Sequence, residues 1–250
     1  MRYFIRLGYN GKNYCGWQKQ PNAPSVQAEI ETKLSTLLRQ EIEIVGCGRT
    51  DTGVHAKEYF AHFDTNQEIE GPVVCFKLNA MLSKDIVIYE VFLVEPSLHA
   101  RFDAKLREYE YWISTLPDPF LHELSYLYPR PLNMEAMNKA AALIMSHTDF
   151  ECFSKVHTDV KTFNCKISYA HWQVMPNNKL LFTIRADRFL RNMVRAIVGT
   201  LLEVGKGKLS MAQVEAILLS KNRSEAGQSM PAHGLYLSKI SYDSKFILKP

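Results

Sequence analysis

The stretch Glu108-Tyr-Glu-Tyr-Trp-Ile-Ser-Thr115 sets Tyr109, Tyr111 and Ile113 against Glu108, Glu110 and Trp112, a period of two that predicts a strand. It decides the fold because it restarts an order of elements that the chain has already run through once. Upstream, Tyr3, Ile5, Leu7 and Tyr9 alternate with Phe4, Arg6 and Gly8 as a first strand. Ser25 then caps a helix whose Val26, Ile30, Leu34 and Leu38 recur every fourth residue. Ile42 to Cys47 and Lys57 to Thr65 read as strands, Pro72 to Leu82 as a short helix, and Asp85 to Val94 as a strand, so the first half runs βαββαβ. Downstream of the quoted stretch come a helix from Met134 to Met145 and a hairpin of Cys165 to Met175 with Lys179 to Ala186 around Pro176, Asn177 and Asn178. Phe189, Met193, Ile197, Leu201 and Val204 trace a helix stripe ending at Gly205. Ser210 and Gln213 have the capping-box spacing of another helix, and Leu235 to Tyr242 is a closing strand. The second half thus repeats βαββαβ with one helix added. The expectation is an α+β fold of two ferredoxin-like βαββαβ halves, residues 1–104 and 105–250, with mainly antiparallel sheets joined around a central cleft.

Composition narrows the class. The chain has 250 residues, of which 46% are hydrophobic, 22% charged and 11% aromatic, which excludes disordered, collagen-like and coiled-coil architectures. Apolar runs such as Val91 to Val94 fall far short of the ~18 to 20 residues that cross a bilayer. Met1 to Asn10 carries Arg2 and Arg6 and lacks the apolar run of a signal peptide, so the expected location is the cytoplasm, with no membrane partner. Cys15, Cys47, Cys75, Cys152 and Cys165 are odd in number and form no C-x-x-C pair, which argues against disulfides and a zinc site. A net charge of +4 fits a phosphate-bearing partner as well as many small-molecule enzymes.

Three constellations carry possible chemistry. Gly46 to Ala56, Gly-Cys-Gly-Arg-Thr-Asp-Thr-Gly-Val-His-Ala, is squeezed between two expected strands and would hold Asp51 up from a sheet edge with Arg49 two residues away. Such a carboxylate acts as an ionised nucleophile or base; the plainer reading is a turn in which Asp51 accepts backbone N–H groups. The glycine spacing matches neither nucleotide-binding loop pattern. Second, Arg188, Arg191 and Arg195 fall at i, i+3 and i+7, one helix face opposite the apolar stripe, where they either bind phosphate or form a solvated face. Third, Arg107, Tyr109 and Tyr111 share one face of a strand, the combination that stacks unpaired bases, or else the core-facing aromatics of a half-buried strand. Asp51 with His55, or His55 with His62, gains no third ligand, so neither a metal nor a cofactor is expected.

Over nearly its whole length the sequence resembles the A family of tRNA pseudouridine synthases. The blocks that carry the resemblance are Gly11 to Gln20, the loop Gly48-Arg-Thr-Asp-Thr-Gly-Val-His-Ala56, His99-Ala-Arg-Phe-Asp-Ala104, Arg107-x-Tyr109-x-Tyr111, Asn192 to Gly199, and Ala232 to Leu237. Two positions depart from the pattern: Ser83 stands where a proline commonly follows Asn-x-x-Leu, and Thr52 where a small residue follows the aspartate. The resemblance implies the pseudouridine synthase fold, a homodimer without cofactor, and isomerisation of uridine to pseudouridine at positions 38 to 40 of the tRNA anticodon stem-loop. By position it implies that Asp51 is the catalytic carboxylate, that Arg49 takes the place of the flipped base, and that Tyr109 stacks on the target uracil. It further implies that Arg195 pairs with Asp51 and Leu235 packs under the base; Tyr111, Arg107, Arg188 and Arg191 remain the candidate RNA contacts. Two alternatives stand beside it: a non-catalytic RNA-binding protein, and a small-molecule hydrolase using Asp51 and His55.

Overall fold

Apolar side chains on both faces of Arg2–Tyr9 make β1 a central strand in the computed structural model, which describes residues 1–156 and 160–243. The last seven residues of the expected 105–250 half therefore lie outside the described residues. The chain divides into two compact units: residues 1–106 together with the chain from Leu237 onward, and residues Arg107–Tyr236.

The first unit contains β1, α1 (Val26–Leu38), β2 (Val45–Gly46), β3 (His55–Asp64), α2 (Gly71–Met81) and β4 (Ile86–Val94). β1 lies antiparallel between β3 and β4. β9 (Leu235–Ser241) follows β3 in the strand order β4-β1-β3-β9. Ser25 caps α1 by accepting the Ala28 N–H at 3.3 Å, and Val26, Ile30 and Leu34 are fully buried.

The strand expected over Ile42 to Cys47 shrinks to Val45–Gly46. Ile42 and Ile44 are buried as their pattern requires, but α1 satisfies their backbone. Glu31 Oε1 accepts the Ile44 N–H at 3.0 Å, Ser35 Oγ accepts the Ile42 N–H at 2.9 Å, and Gln27 donates to the Ile44 carbonyl at 3.0 Å. Side chains have replaced the ladder, so burial persists without a strand.

The chain passes from one unit to the other twice, after Leu106 and again after Tyr236. The closing segment returns to the first unit because its partners are there: Lys105 N donates to Ser241 O, Ile240 N to Glu58 Oε1, and Tyr242 OH to Ala100 O. The Tyr242 ring meets Phe4 and Phe60 edge-on.

The second unit is built from β5 (Leu106–Ser114), β6 (Tyr126–Leu127), α3 (Met134–Met145), β7 (Ile167–Met175), β8 (Lys179–Ala186), α4 (Met193–Gly205) and α5 (Met211–Ser220). β8 lies antiparallel between β5 and β7, and β6 adds a short parallel pairing to the end of β5. Asn177 and Asn178 both adopt positive φ at the β7–β8 turn, the hairpin geometry that matches strand twist. α3 packs on β7 and α4, and the whole length of α4 except Arg195 and Glu203 is buried. Ser210 and Gln213 form the full capping box of α5. The architecture is mixed α+β with mainly antiparallel pairing, and among the described residues no helix is long and apolar enough to cross a membrane.

Candidate active site

The loop that carries Asp51 is fixed from below by aromatic rings. Trp17 stacks on Tyr59 with centroids 4.0 Å apart, Tyr9 lies 5.7 Å from Tyr59, and all three side chains are buried. Tyr59, its phenol pushed well up by burial, donates to the Gly48 carbonyl. The Thr50 hydroxyl meets Tyr9 OH at 2.9 Å and accepts the Trp17 N–H at 3.1 Å. Asp51 then closes a tight turn with its own carbonyl, accepting the Val54 N–H at 3.1 Å. Gly53, at φ 77°, occupies the third turn position, where a left-handed residue is needed and glycine alone adopts it without cost. Its N–H donates to Tyr14 O at 3.3 Å. Arg49 and Thr52 are exposed and Asp51 is half-buried, so the loop holds its backbone rigidly while presenting charged side chains toward solvent.

Ser83 belongs to the support of this loop. Glu29 accepts the Ser83 N–H at 2.8 Å and the Tyr14 hydroxyl at 2.7 Å, and the Ser83 and Tyr14 hydroxyls meet at 2.7 Å. Burial and the Glu29 carboxylate push the Tyr14 phenol up to about 12, against the opposing effect of the Ser83 hydroxyl. Serine in place of the commoner proline supplies the N–H that Glu29 accepts.

His55 has a structural task. It is 1% exposed, and its Nδ1 accepts the Gly11 N–H at 3.0 Å, which commits that nitrogen as an unprotonated acceptor. Among the described residues no group of three or more His, Cys, Asp or Glu side chains could hold a metal ion.

In the second unit, Tyr111, Arg195 and Leu235 come together. Tyr111 is fully buried, and its hydroxyl donates to Pro231 O at 2.9 Å. Burial raises its pKa far above that of a free phenol, opposed by the nearby positive charge of Arg195. A Cβ on Gly234 would stand 2.7 Å from the Tyr111 ring, so the backbone leading into Leu235 lies directly on that ring. Arg195 Nε donates to the Met230 carbonyl, and the Met230 N–H returns a bond to Arg195 O at 3.1 Å. His233 is held below its ordinary pKa by burial, with Arg195 among its charged neighbours.

Tyr109, two residues along β5, is half-buried and meets the edge of Phe189 at 5.1 Å and 89°. The sequence pattern missed this partner by assigning Phe189 to a helix. Arg107 donates to Asp187 O at 2.8 Å.

The three arginines expected on one helix face do not share one. α4 begins at Met193, so Arg188 and Arg191 lie in the approach to it and Arg195 alone is helical. The cause is Asn192, whose left-handed backbone, φ 69°, breaks the helix where the apolar period runs on.

Sequence reasoning also missed Arg223. It donates to Gly227 O at 3.2 Å and Ser229 Oγ at 2.7 Å, and Asn192 donates to the same hydroxyl. This clamp fixes the segment that delivers Met230 to Arg195; no residue pattern announced it, because all of its partners lie in a loop.

Comparison with known proteins bears on the reading. Residues 140–243 match the family model described as tRNA pseudouridine synthase. The chain is 52% identical over 242 residues to tRNA pseudouridine synthase A of Parabacteroides distasonis, covering 96% of each chain. It is 50% identical over 250 residues to the protein of the same name from Porphyromonas gingivalis, covering 99% of each. Against the Clostridium acetobutylicum protein of that name the identity is 40% over 240 residues, 95% of this chain and 98% of the relative.

Proposed function

The chain belongs to the tRNA pseudouridine synthase A family, and from that premise we propose that it isomerises uridine to pseudouridine at positions 38 to 40 of the tRNA anticodon stem-loop. The observation that carries the reading is the 52% identity spanning 96% of both chains. The reaction breaks the bond between N1 and C1′, turns the uracil, and joins C5 to C1′; a proton leaves C5 and one is gained at N1. Nothing is oxidised or hydrolysed, so one ionised carboxylate suffices and no cofactor is called for.

Asp51 is that carboxylate, attacking the sugar or the base or removing a ribose proton. The rigidity of its turn supports the role, since a positioned group spends no entropy on alignment during the reaction. Arg195 pairs with Asp51, Leu235 packs under the base, and Tyr109 stacks on the uracil and helps remove the C5 proton. Arg49 fills the gap left when the target is flipped out of the stem, a step that costs a few kcal/mol. Arg107, Arg188 and Arg191 contact phosphates. Tyr111, having no exposed surface, acts on RNA only by supporting the strand that carries Leu235.

The two units are ferredoxin-like halves of a protein that acts as a cytoplasmic homodimer. The orders β4-β1-β3 and β5-β8-β7 support that kinship, since the opening strands β1 and β5 pair antiparallel with β3 and β8 respectively. The hydrolase alternative is opposed by the burial of His55, whose Nδ1 is committed to the Gly11 N–H.

The test is incubation with unmodified tRNA, carbodiimide labelling and primer extension. Stops at positions 38 to 40 are expected; unlabelled RNA, or label confined to other positions, contradicts the reading.

A further inference from the structure

Between β4 and β5 the N–H groups of His99 through Asp103 are all held by hydrogen bonds. His99 N donates to Asp103 Oδ2 at 2.7 Å and Asp103 N to His99 O at 3.1 Å. Ala100 N donates to His62 Nδ1 at 3.2 Å, and the N–H groups of Arg101 and Phe102 both donate to His99 Nδ1, at 3.0 and 3.3 Å. Arg2 holds the Leu98 carbonyl, and Tyr242 OH the Ala100 carbonyl at 2.6 Å.

This rigid turn nevertheless leaves Phe102 74% exposed, between Ala100 at 0% and Ala104 at 8%. The ring is the outer end of a column that starts in the core. Phe4 stacks on His62 at 6.1 Å, His62 meets His99 at 4.8 Å, and His99 meets Phe102 at 4.2 Å. The Arg101 guanidinium reaches over it, its carbon 5.7 Å from the ring centre. Leaving a phenylalanine in water forgoes the burial that stabilises most others, and fixing it there removes the entropy cost of ordering it on contact. An exposed apolar ring with a guanidinium against it is the pairing that receives an unpaired base and its phosphate.

We propose that Phe102 stacks on an unpaired base of the bound tRNA, with Arg101 facing the adjoining phosphate, as an RNA contact separate from the reacting nucleotide. The separation follows from β3. Asp51 precedes its start at His55, His62 lies near its far end, and seven residues at about 3.3 Å each put the two ends of the unit about 20 Å apart. The inference rests on tRNA being the substrate, as proposed above.

The experiment compares Phe102→Ala, Phe102→Leu and Phe102→Trp with the wild type. Its readouts are Kd for unmodified tRNA at two salt concentrations, single-turnover rate at saturating enzyme, and mass by sedimentation. Stacking predicts that Phe102→Ala weakens tRNA binding by about 5- to 100-fold with an unchanged salt slope and an unchanged rate once bound. Phe102→Trp should bind within about twofold of wild type, and Phe102→Leu as weakly as alanine. Wild-type affinity in Phe102→Ala, leucine restoring as well as tryptophan, or a loss of dimer mass in the variants each overturns the proposal. Failure of the two readings is separable: an active wild type with an indifferent Phe102→Ala removes this contact alone. A wild type that binds tRNA through Phe102 without forming pseudouridine removes the reaction alone.

Discussion

Replacing Gly199 with alanine tests whether the second unit's site is held by the close approach of α4 to the segment before β9. A Cβ on Gly199 would stand 1.9 Å from the Gln228 carbonyl oxygen, against the 3.0 Å that real contacts respect, so helix and segment must part by about 1 Å. Nothing flexible can yield, because the opposing atom is backbone. The separation stretches the Gly227 N–H bond to Thr200 Oγ1, now 2.9 Å, and the reciprocal pair between Met230 and Arg195. Overpacking costs about 1 to 3 kcal/mol and each of the three weakened hydrogen bonds about 1, for a total of roughly 4 to 6 kcal/mol. At about 2 to 4 °C per kcal/mol for a chain of this size, Tm falls by roughly 8 to 24 °C. The displacement of Arg195 by about 1 Å slows the chemical step on the order of 100-fold. The assay is a thermal melt with single-turnover kinetics on unmodified tRNA, and Gly48→Ala is the control. A Cβ at Gly48 meets nothing within 4 Å, so that variant should keep its melting temperature. Gly199→Ala that melts within about 2 °C of wild type and turns over at full rate refutes the reasoning.

Other expectations follow from the same geometry. Arg195→Ala should slow single-turnover chemistry and lower Tm while leaving the slope of log affinity against log salt in place; Arg191→Ala should flatten that slope by about 0.7 to 0.9 and spare the bound rate. The division fails if the two variants behave alike. Burial holds His62 at about 4 when folded, against 6.5 for the free side chain. The unfolded chain takes up a proton there that the folded protein refuses, so stability is complete above about pH 6.5 and is lost as pH falls from there toward 4. In His62→Gln, melting temperatures across that window should decline less steeply, and an unchanged decline would point to other groups. Ser83→Pro removes the N–H that Glu29 accepts and should cost about 1.5 to 3 kcal/mol in denaturant unfolding, whereas Ser83→Ala keeps that bond and should cost less; equal losses would contradict the role given to the N–H.

Much of the fold was legible because burial and local chemistry agree. Met134–Met145 and Lys179–Ala186 have the limits their periodicity gives, and the Ser25 cap and the Ser210–Gln213 box are formed as spaced. The pattern failed where a distant side chain took over backbone bonding, as Glu31, Ser35 and Gln27 do for Ile42 and Ile44, because an alternating apolar run records burial and not its hydrogen-bond partner. It failed again at Asn192, where one left-handed residue stops a helix without interrupting its apolar stripe. In the candidate site, the glycine-rich turn at Asp51 was readable from residue types. The Tyr59 and Trp17 stack beneath it and the Arg223 clamp were not, since both depend on contacts between residues far apart in the chain.

The most direct test of the account is Asp51→Asn. An amide has the shape of the carboxylate but neither its basicity nor its nucleophilicity. Asp51 contributes its backbone carbonyl to the turn, which asparagine retains. The measurement is the single-turnover rate of pseudouridine formation on unmodified tRNA, read by carbodiimide labelling, alongside melting temperature and tRNA affinity. The account predicts unchanged folding and affinity with turnover reduced by several orders of magnitude; a folded variant that keeps more than about a tenth of the wild-type rate contradicts it.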